Sequence, residues 1–226
     1  MVFAGFPVEA FEFYDELTAD NTKTFWAEHK DRYARYVKTP MLELSDFLGP
    51  EFGEAHLYRP YRDLRFSKDK TPYKDHQGMF VESGNGLGWY AQVSSTGLMV
   101  AGGWYMSDSQ QVARYRERIA EQSGPRLQQY LDELTAAGFE IGGDRLKTKP
   151  RGIAADHPQI ELLRYKSIYA SQQWDPEPWM DTAECGVRVA EAWRTMSAWM
   201  SWLAELVGEG RPPLGSRGGQ GRTDTA

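Results

Sequence analysis

The residues from Arg59 to Lys74 form the one segment of this chain that concentrates a single kind of chemistry. The segment holds six basic and two acidic side chains, a net charge of +4, whereas the whole chain has a net charge of −6. The remaining residues therefore carry −10, and a positive segment on an acidic chain calls for internal ion pairs or a bound anion. Guanidinium groups present a planar fork that binds a carboxylate or phosphate through two hydrogen bonds.

The candidate anion clamp consists of basic side chains supported by hydroxyl groups. Its members are Arg62, Arg65, Ser67, Lys68, Lys70, Tyr73 and Lys74. Asp63 and Asp69 lie between these bases and would hold them in place. The composition is almost equally compatible with an alternative in which Asp63 and Asp69 pair with the bases, so that the segment is a structural turn.

A second basic run occurs later in the chain. Its bases stand at every other position: Arg145, Lys147, Lys149 and Arg151. In an extended strand all four would project to one side, toward an anion or along an edge that is protected by charge. We expect this run to converge with the first basic segment on one concave anion site, to which Arg164 or Lys166 would add.

The stretch from Arg62 to Lys74 resembles the signature of a widespread bacterial and fungal family known only as a domain of unknown function, of the 2461 type. The signature residues read R-D-L-R-F-S-K-D-K-T-P-Y-K here. The resemblance extends to about Leu206, and one departure is Tyr61, where relatives usually have Ile. It implies kinship with that family and brings no activity, so no functional role is carried over to any residue.

Other catalytic chemistry has weaker support in the sequence. The four histidines are far apart and lack the spacing of a zinc site, and neither a Walker loop nor a dinucleotide-binding turn is present, so we predict no metal and no cofactor. His157, near the second basic run, is the candidate acid–base residue, although a packing or capping histidine is the more common case. Asp75 and His76 could form an orienting pair or a polar surface pair. Cys185 fits an inert core position, so whether the chain is an enzyme stays open.

Three functional hypotheses follow. The leading one is recognition of a phosphate- or carboxylate-bearing small molecule by the first basic segment. The second is binding of a single-stranded or structured nucleic acid, because Tyr58, Tyr61, Phe66 and Tyr73 interleave with the bases and could stack on nucleobases, although the net charge of −6 argues against it. The third is a structural or partner-docking domain whose basic loops are ion-paired internally.

Composition indicates a globular chain of 226 residues with 41% hydrophobic residues. The single cysteine excludes an internal disulfide, and neither a secretory signal nor a membrane-spanning stretch is evident, so we expect a cytoplasmic protein without a membrane partner. We predict one domain over residues 1–207 and a disordered tail rich in Gly, Pro and Arg over residues 208–226.

The order of elements predicts the fold class. Apolar residues at helical spacing precede a run of short strands with glycine-rich turns, and helices then return, which is typical of an α+β domain. We predict a mainly antiparallel meander sheet, helices packed on it and a long C-terminal helix with Trp193 and Trp199 on its core face. The predicted strands are 55–61, 78–82, 88–93, 98–104, 139–141 and 166–170.

Local signals predict where helices begin and end. Asn21 is the predicted N-cap of the second helix, and Thr39-Pro40 the start of the third. Gly49-Pro50 is expected to stop that helix, and Gly124-Pro125 to separate two later helices. Gly102-Gly103 predicts a bulge or a close approach of two backbones.

Overall fold

A computed structural model of the chain describes residues 3–65 and 69–210. The helices are α1 (Val8–Ala19), α2 (Lys23–Arg32), α3 (Thr39–Phe52), α4 (Ser109–Arg118), α5 (Gly124–Ala136), α6 (Ile160–Leu163) and α7 (Glu184–Val207). The strands are β1 (Ala55–Leu57), β2 (His76–Gly84), β3 (Leu87–Ser94), β4 (Gly97–Trp104), β5 (Glu140–Gly142) and β6 (Ile168–Trp174). Among the described residues, no helix is both long and apolar enough to span a membrane.

The six strands form one antiparallel sheet in the order β1-β2-β3-β4-β6-β5. Short turns such as Gly84–Gly86 join β2, β3 and β4 directly as antiparallel neighbours, and the longer segment 58–75 joins β1 to β2. The last two strands pair with each other, but their order in the sheet is the reverse of their order in the chain, so β6 lies beside β4 and β5 is at the edge. The predicted α+β class, the antiparallel sheet and the long C-terminal helix are confirmed.

One face of the sheet is the core. Alternate residues such as Met79, Ala91 and Val100 are fully buried there, because successive side chains of a strand point to opposite faces. The long helix α7 packs on β3 and β4 on this face, and α1 and α3 cover β3 and β2. The opposite face carries half-buried aromatic and polar side chains instead.

The predicted boundaries at Thr39-Pro40 and Gly124-Pro125 coincide with the first residues of α3 and α5, but the helical backbone is not interrupted there. The π-helical segment Tyr33–Lys38 joins α2 to α3, and Ile119–Ser123 joins α4 to α5. At the first junction the N–H of Thr39 donates to the carbonyl of Ala34, five residues back, so the chain stays helical up to Pro40. Proline has no N–H and therefore needs no acceptor at this position. The predicted stop at Gly49-Pro50 is also wrong, since α3 continues to Phe52.

Gly102-Gly103 is a close approach and not a bulge. Both residues keep their register with β3 and β6, and the irregular step of the sheet lies between Glu82 and Gly84 instead. A Cβ on Gly103 would collide with the backbone of Ile168 and Tyr169, so glycine lets β6 lie directly beside β4.

The chain after α7 is described as far as Gly210. Gln111 donates to the carbonyl of Gly208 at 2.9 Å, and Arg114 donates to the carbonyl of Val207 at 2.8 Å. These bonds satisfy carbonyl groups at the helix end, which have no partner within the helix. The rest of the predicted tail, residues 211–226, lies outside the described residues.

Candidate functional site

The first basic segment is a loop with a closed neck. Tyr61 and Tyr73 form a β-bridge, and the backbone N–H of Arg62 and of Lys74 bond across the neck to Pro72 and Pro60, at 3.0 and 2.8 Å. Two of the predicted clamp residues, Ser67 and Lys68, lie outside the described residues. The loop leaves β1 and enters β2, so it lies at one end of the sheet and at its β1 edge.

Helix α2 and the residue before its cap hold the loop neck in place. The Trp26 ring stacks on the Tyr73 ring, with centroids 4.3 Å apart and planes 9° from parallel. Asn21 donates to the backbone carbonyl of Tyr73 at 3.0 Å and accepts from its N–H at 3.1 Å. The predicted N-cap role of Asn21 is therefore wrong: Thr22 caps α2 by accepting from Phe25. Sequence pattern could not separate the two, because both side chains are good caps.

Asn21→Ala is expected to lower the free energy of unfolding by about 2 kcal/mol, because it removes two hydrogen bonds and leaves the backbone N–H of Tyr73 without a partner. Urea denaturation followed by circular dichroism would measure the change. Asp20→Ala is the matched control, since Asp20 is exposed and only its backbone is bonded. An equal loss in both variants would contradict the structural role of Asn21.

The arginines of the first basic segment are engaged by carboxylates. Arg62 pairs with Asp69, lies 3.5 Å from Asp75 and donates through Nε to the Tyr73 carbonyl at 2.8 Å. Arg65 pairs with Asp63 at 2.6 Å, with both side chains largely exposed. Two further clamp residues are bonded differently: Lys70 donates to the Leu64 carbonyl, and Lys74 lies over the Tyr58 ring. The predicted orienting roles of Asp63 and Asp69 agree with these ion pairs, which also fit a purely structural loop.

Acidification is expected to weaken this loop. Hydrogen bonds from Arg65 lower the pKa of Asp63, and hydrogen bonds from Thr71, with a contribution from Arg62, lower the pKa of Asp69. A carboxyl group whose pKa is lower in the folded state stabilises the fold above its unfolded pKa, and this stabilisation is lost as pH falls through the folded pKa. We therefore expect the Tm to decrease as the pH is lowered below about 4.

The Asp69→Asn variant would test this pH dependence. Asn can still accept from Thr71, but it cannot ionise, so its Tm deficit relative to the natural chain should shrink as the pH is lowered. The measurement is Tm against pH for both proteins. Two parallel curves would show that the Asp69 carboxylate does not contribute.

The second basic run lies elsewhere in the molecule. It follows β5, which is the strand at the opposite edge of the sheet. It begins at the end of the sheet where β4 finishes and β6 starts. Five strand intervals of roughly 4.8 Å put the two edges about 24 Å apart, before the length of the strands is added. The structure therefore does not bring Arg65 and Lys147 together, and the hypothesis of one shared anion site is wrong.

The second run is not an extended strand with its four bases on one side. Arg145 bridges to Tyr165 and lies over its ring at 4.0 Å, and Lys149 donates to the Ile153 carbonyl at 2.6 Å. Lys147 and Arg151 are exposed. The remaining bases make local bonds: Arg164 donates to the carbonyls of Leu146 and Lys147 and pairs with Glu161, and Lys166 lies 3.6 Å from Asp144. The alternating spacing of bases in the sequence could not show that Lys149 and Arg164 donate hydrogen bonds to backbone carbonyl groups.

Two candidate reactive side chains have local structural roles. The Nδ1 of His157 accepts a hydrogen bond from the N–H of Gln159 at 3.1 Å, which caps a turn before α6. Cys185 is fully buried in α7, and burial raises the pKa of its thiol to about 12. Such a thiol remains protonated at neutral pH and is a poor nucleophile, so the prediction of an inert cysteine agrees with its environment.

A cleft on the open face of the sheet is the site that sequence reasoning missed. Its volume is about 510 Å³, within the usual range for small-molecule sites. Its lining consists of Tyr58, His76, Phe80, Tyr90, Gln92, Met99, Ala101, Tyr105, Met106 and Tyr169. We call it the tyrosine cleft. Strand alternation brings these residues to one face, from positions as far apart as Tyr58 and Tyr169.

Glycines leave room for the rings of the tyrosine cleft. A Cβ on Gly78 would lie 2.9 Å from Cζ of Tyr90, and a Cβ on Gly88 would meet the ring of Phe80. The rings therefore lie flat over neighbouring strands and form the floor of the cleft. An alternating strand pattern with glycines opposite aromatic residues is the sequence signal that could have indicated this floor.

The hydroxyl groups of Tyr90 and Tyr105 in the tyrosine cleft stay protonated. Burial raises the pKa of Tyr90 and of Tyr105 well above the usual range, and neighbouring tyrosines add to the effect. Tyr90 donates to Oε1 of Gln92 at 2.8 Å. The hydroxyl of Tyr105 is buried and has no hydrogen-bond partner among the described residues. A buried donor without a partner is costly to the fold.

Charged residues of the first basic segment reach the rim of the tyrosine cleft. The Nζ of Lys74 lies 4.9 Å from the centre of the Tyr58 ring, and no carboxylate of the described residues pairs with it. Burial and the nearby Arg62 lower the pKa of Lys74. Next to this segment, Asp75 accepts a hydrogen bond from Nδ1 of His76 at 2.8 Å, and His76 lines the cleft.

A buried hydrogen-bond network anchors this end of the cleft. Gln77 is 1% exposed on the core face of β2, and its side-chain amide donates to the carbonyls of Tyr58 and Gly78 at 2.9 Å. Its carbonyl oxygen accepts from the hydroxyl of Tyr33 at 2.6 Å. Both polar atoms of the Gln77 side chain are thus hydrogen-bonded, and the backbone that carries Tyr58 is fixed to β2.

Comparison with known proteins places the chain in a family. The family model described as "Conserved hypothetical protein (DUF2461)" matches residues 9–202. The chain belongs to this family. The match covers the sheet, the tyrosine cleft, the first basic segment and most of α7. No curated protein matches the chain, and no solved structure matches it.

Proposed function

We propose that this member of the DUF2461 family binds a small molecule that carries both a flat ring and a phosphate or carboxylate group. The ring would lie in the tyrosine cleft and the anion at its rim. The observation that carries the proposal is a cleft of about 510 Å³ lined mainly by aromatic rings, with the ammonium group of Lys74 over one of them, Tyr58. Ligand sites of this kind combine apolar walls with a few polar groups that fix orientation.

The anion contact is assigned to Lys74. Its ammonium group is free of carboxylate partners in the described part of the chain, whereas Arg62 and Arg65 are paired with Asp69 and Asp63. An arriving anion would offset the two effects that lower the pKa of Lys74, namely burial and the charge of Arg62. The proposal therefore keeps the predicted anionic ligand and moves the centre of its site from the loop into the cleft. The cytoplasmic location stays a prediction.

A set of matched compounds separates the ring from the anion. Adenosine monophosphate carries both, adenosine only the ring, and ribose phosphate only the anion; phenylpyruvate provides a ring with a carboxylate. We expect the compounds with both parts to raise the Tm, with each half far less effective. A ligand at one hundred times its Kd stabilises the fold by about 2.7 kcal/mol.

Variants locate the binding site. Lys74→Met keeps the aliphatic stem over Tyr58 and removes the charge, and it should weaken binding about tenfold, which corresponds to roughly 1.4 kcal/mol. Lys147→Met is the control, because Lys147 lies in the second basic run. Equal effects of Lys74→Met and Lys147→Met, or no response to any ring-bearing anion, would contradict the proposal.

A second candidate function is binding of single-stranded nucleic acid. The observation in its favour is an open antiparallel sheet face with the half-buried rings of Phe80, Tyr90 and Tyr169, on which successive bases could stack. A short single-stranded RNA that binds more tightly than adenosine monophosphate, with a steep dependence on salt, would favour this function. The net charge of −6 favours the small molecule.

A further inference from the structure

Gln92 contributes an oriented amide group to the lining of the tyrosine cleft. Its Oε1 accepts a hydrogen bond from the hydroxyl of Tyr90 at 2.8 Å. Because burial raises the pKa of Tyr90, this hydroxyl keeps its proton and acts as the donor. A primary amide has one acceptor oxygen and one NH₂ group, so the bond to Tyr90 leaves the NH₂ group as the part of Gln92 that is available to a bound molecule.

The NH₂ group of Gln92 has no acceptor in the described part of the chain, and its side chain is half-buried beside Met99. Gln173, on the same face of the sheet, differs in this respect. Its Nε2 donates to the backbone carbonyls of Thr96 and Trp174, at 2.8 and 3.2 Å. An amide N–H among apolar side chains gains most from an acceptor on a bound molecule, because the surrounding side chains offer none.

The strand register puts Gln92 in one row with the anion contact of the proposed site. Gly78 of β2 pairs with Gln92 of β3, and the N–H of Tyr58 donates to the Gly78 carbonyl at 3.0 Å. Two strand intervals of roughly 4.8 Å therefore separate Tyr58 from Gln92, about 10 Å in all. Lys74 lies over the Tyr58 ring. A contact of about 3 Å at each end leaves about 4 Å, which is the span of one six-membered ring with its acid group.

We propose that Gln92 selects ligands whose ring carries a hydrogen-bond acceptor, such as the nitrogen atom of a pyridine or purine ring. This inference deepens the proposed function and rests on it. The ligand class becomes an anionic nitrogen heterocycle, whose acid group contacts Lys74 and whose ring nitrogen accepts a hydrogen bond from Nε2 of Gln92. A ring with only C–H groups leaves this N–H without a partner, and a site that forms a hydrogen bond discriminates against such a ring.

Benzoate and its pyridine counterparts, picolinate, nicotinate and isonicotinate, form a matched set of probes. At neutral pH they share shape and charge, and they differ only in the presence and position of a ring nitrogen. Isothermal titration calorimetry would measure their dissociation constants. We expect at least one pyridine compound to bind about fivefold more tightly than benzoate, which corresponds to roughly 1 kcal/mol. Without the hydrogen bond benzoate should bind better, because a ring nitrogen loses its hydration in an apolar cleft.

Variants assign the preference to Gln92. Gln92→Met keeps the length of the side chain and removes the amide, so it should abolish the preference for the pyridine compound while benzoate still binds. Tyr90→Phe removes the hydroxyl that orients the amide and should weaken the same preference by a smaller factor. Gln173→Met is the matched control, because Gln173 lies outside the cleft lining and its amide bonds to backbone carbonyls; the preference should be unchanged. The Tm of each ligand-free variant would verify that it is folded.

The possible results separate the inference from the proposed function. Binding of benzoate as tight as that of every pyridine compound would overturn the inference and leave the proposed function standing, as would a preference that survives in Gln92→Met. If adenosine monophosphate binds and the small carboxylates do not, its Kd for Gln92→Met decides: a weaker affinity supports the inference, and an unchanged one overturns the inference alone. Failure of every ring-bearing anion to bind would overturn both.

Discussion

Trp193→Ala is expected to lower the free energy of unfolding by about 4 kcal/mol. Trp193 lies in α7 and is fully buried. Its ring is stacked on Trp89 of β3 at 5.7 Å and meets the edge of Phe52 of α3 at 5.0 Å. Removal of the ring would leave a cavity between the long helix, the sheet and α3, which the surrounding structure could fill only in part. Urea denaturation with a two-state fit would measure the loss.

Trp193→Phe is the matched control for this substitution. Nε1 of Trp193 is buried without a hydrogen-bond partner in the described structure, so loss of the indole N–H removes no bond. We therefore expect the phenylalanine variant to lose less than half as much stability as the alanine variant. Equal losses would show that ring packing on Trp89 and Phe52 is not the source of the stabilisation.

Gly103→Val is expected to cost about 3 kcal/mol, because overpacking against a rigid neighbour forces the backbone to shift. The atoms that a Cβ would meet belong to the backbone of Ile168 and Tyr169 on β6, which cannot rotate away as a side chain could. Displacement of β6 would also move Tyr169, which lines the tyrosine cleft. Thermal unfolding and the response to adenosine monophosphate should therefore be impaired together.

Gly78→Val provides the contrast on the same face of the sheet. There a Cβ would meet only the tip of the Tyr90 ring, with Cζ at 2.9 Å, and this side chain can rotate. We expect a smaller loss of stability than in Gly103→Val but a clear loss of ligand response, because the displaced ring would enter the cleft. A Gly78→Val protein that binds as well as the natural chain would show that Tyr90 does not shape the site.

Local pattern was sufficient for the fold class. Alternating residues in β2, β3 and β4 indicated strands, the glycine-rich turns between them indicated antiparallel neighbours, and the helical spacing around Trp193 indicated a core helix. These features depend on near neighbours in the chain, so the sequence alone expresses them. The resemblance of residues 62–74 to a family signature was likewise local, and the family match over residues 9–202 agrees with it.

Local signals failed where a distant partner decided the outcome. Asn21 was a plausible cap, but its side chain binds Tyr73, fifty-two positions away. Pro40 and Pro125 were plausible helix breaks, but each follows a π-helical segment that keeps the chain helical. Propensity describes what a residue favours alone, and packing against the rest of the fold overrides it.

The sequence by itself determined the composition, the α+β class and the two basic segments of this chain. Only the tertiary structure decided that those segments lie at opposite edges of the sheet, and that the exchange of β5 and β6 brings Tyr169 beside Tyr105. The tyrosine cleft depends on this exchange, because strand order is set by the packing of the whole sheet and not by any stretch of sequence. The side chains that could bind a ligand were visible in the sequence, and their meeting on one face was not.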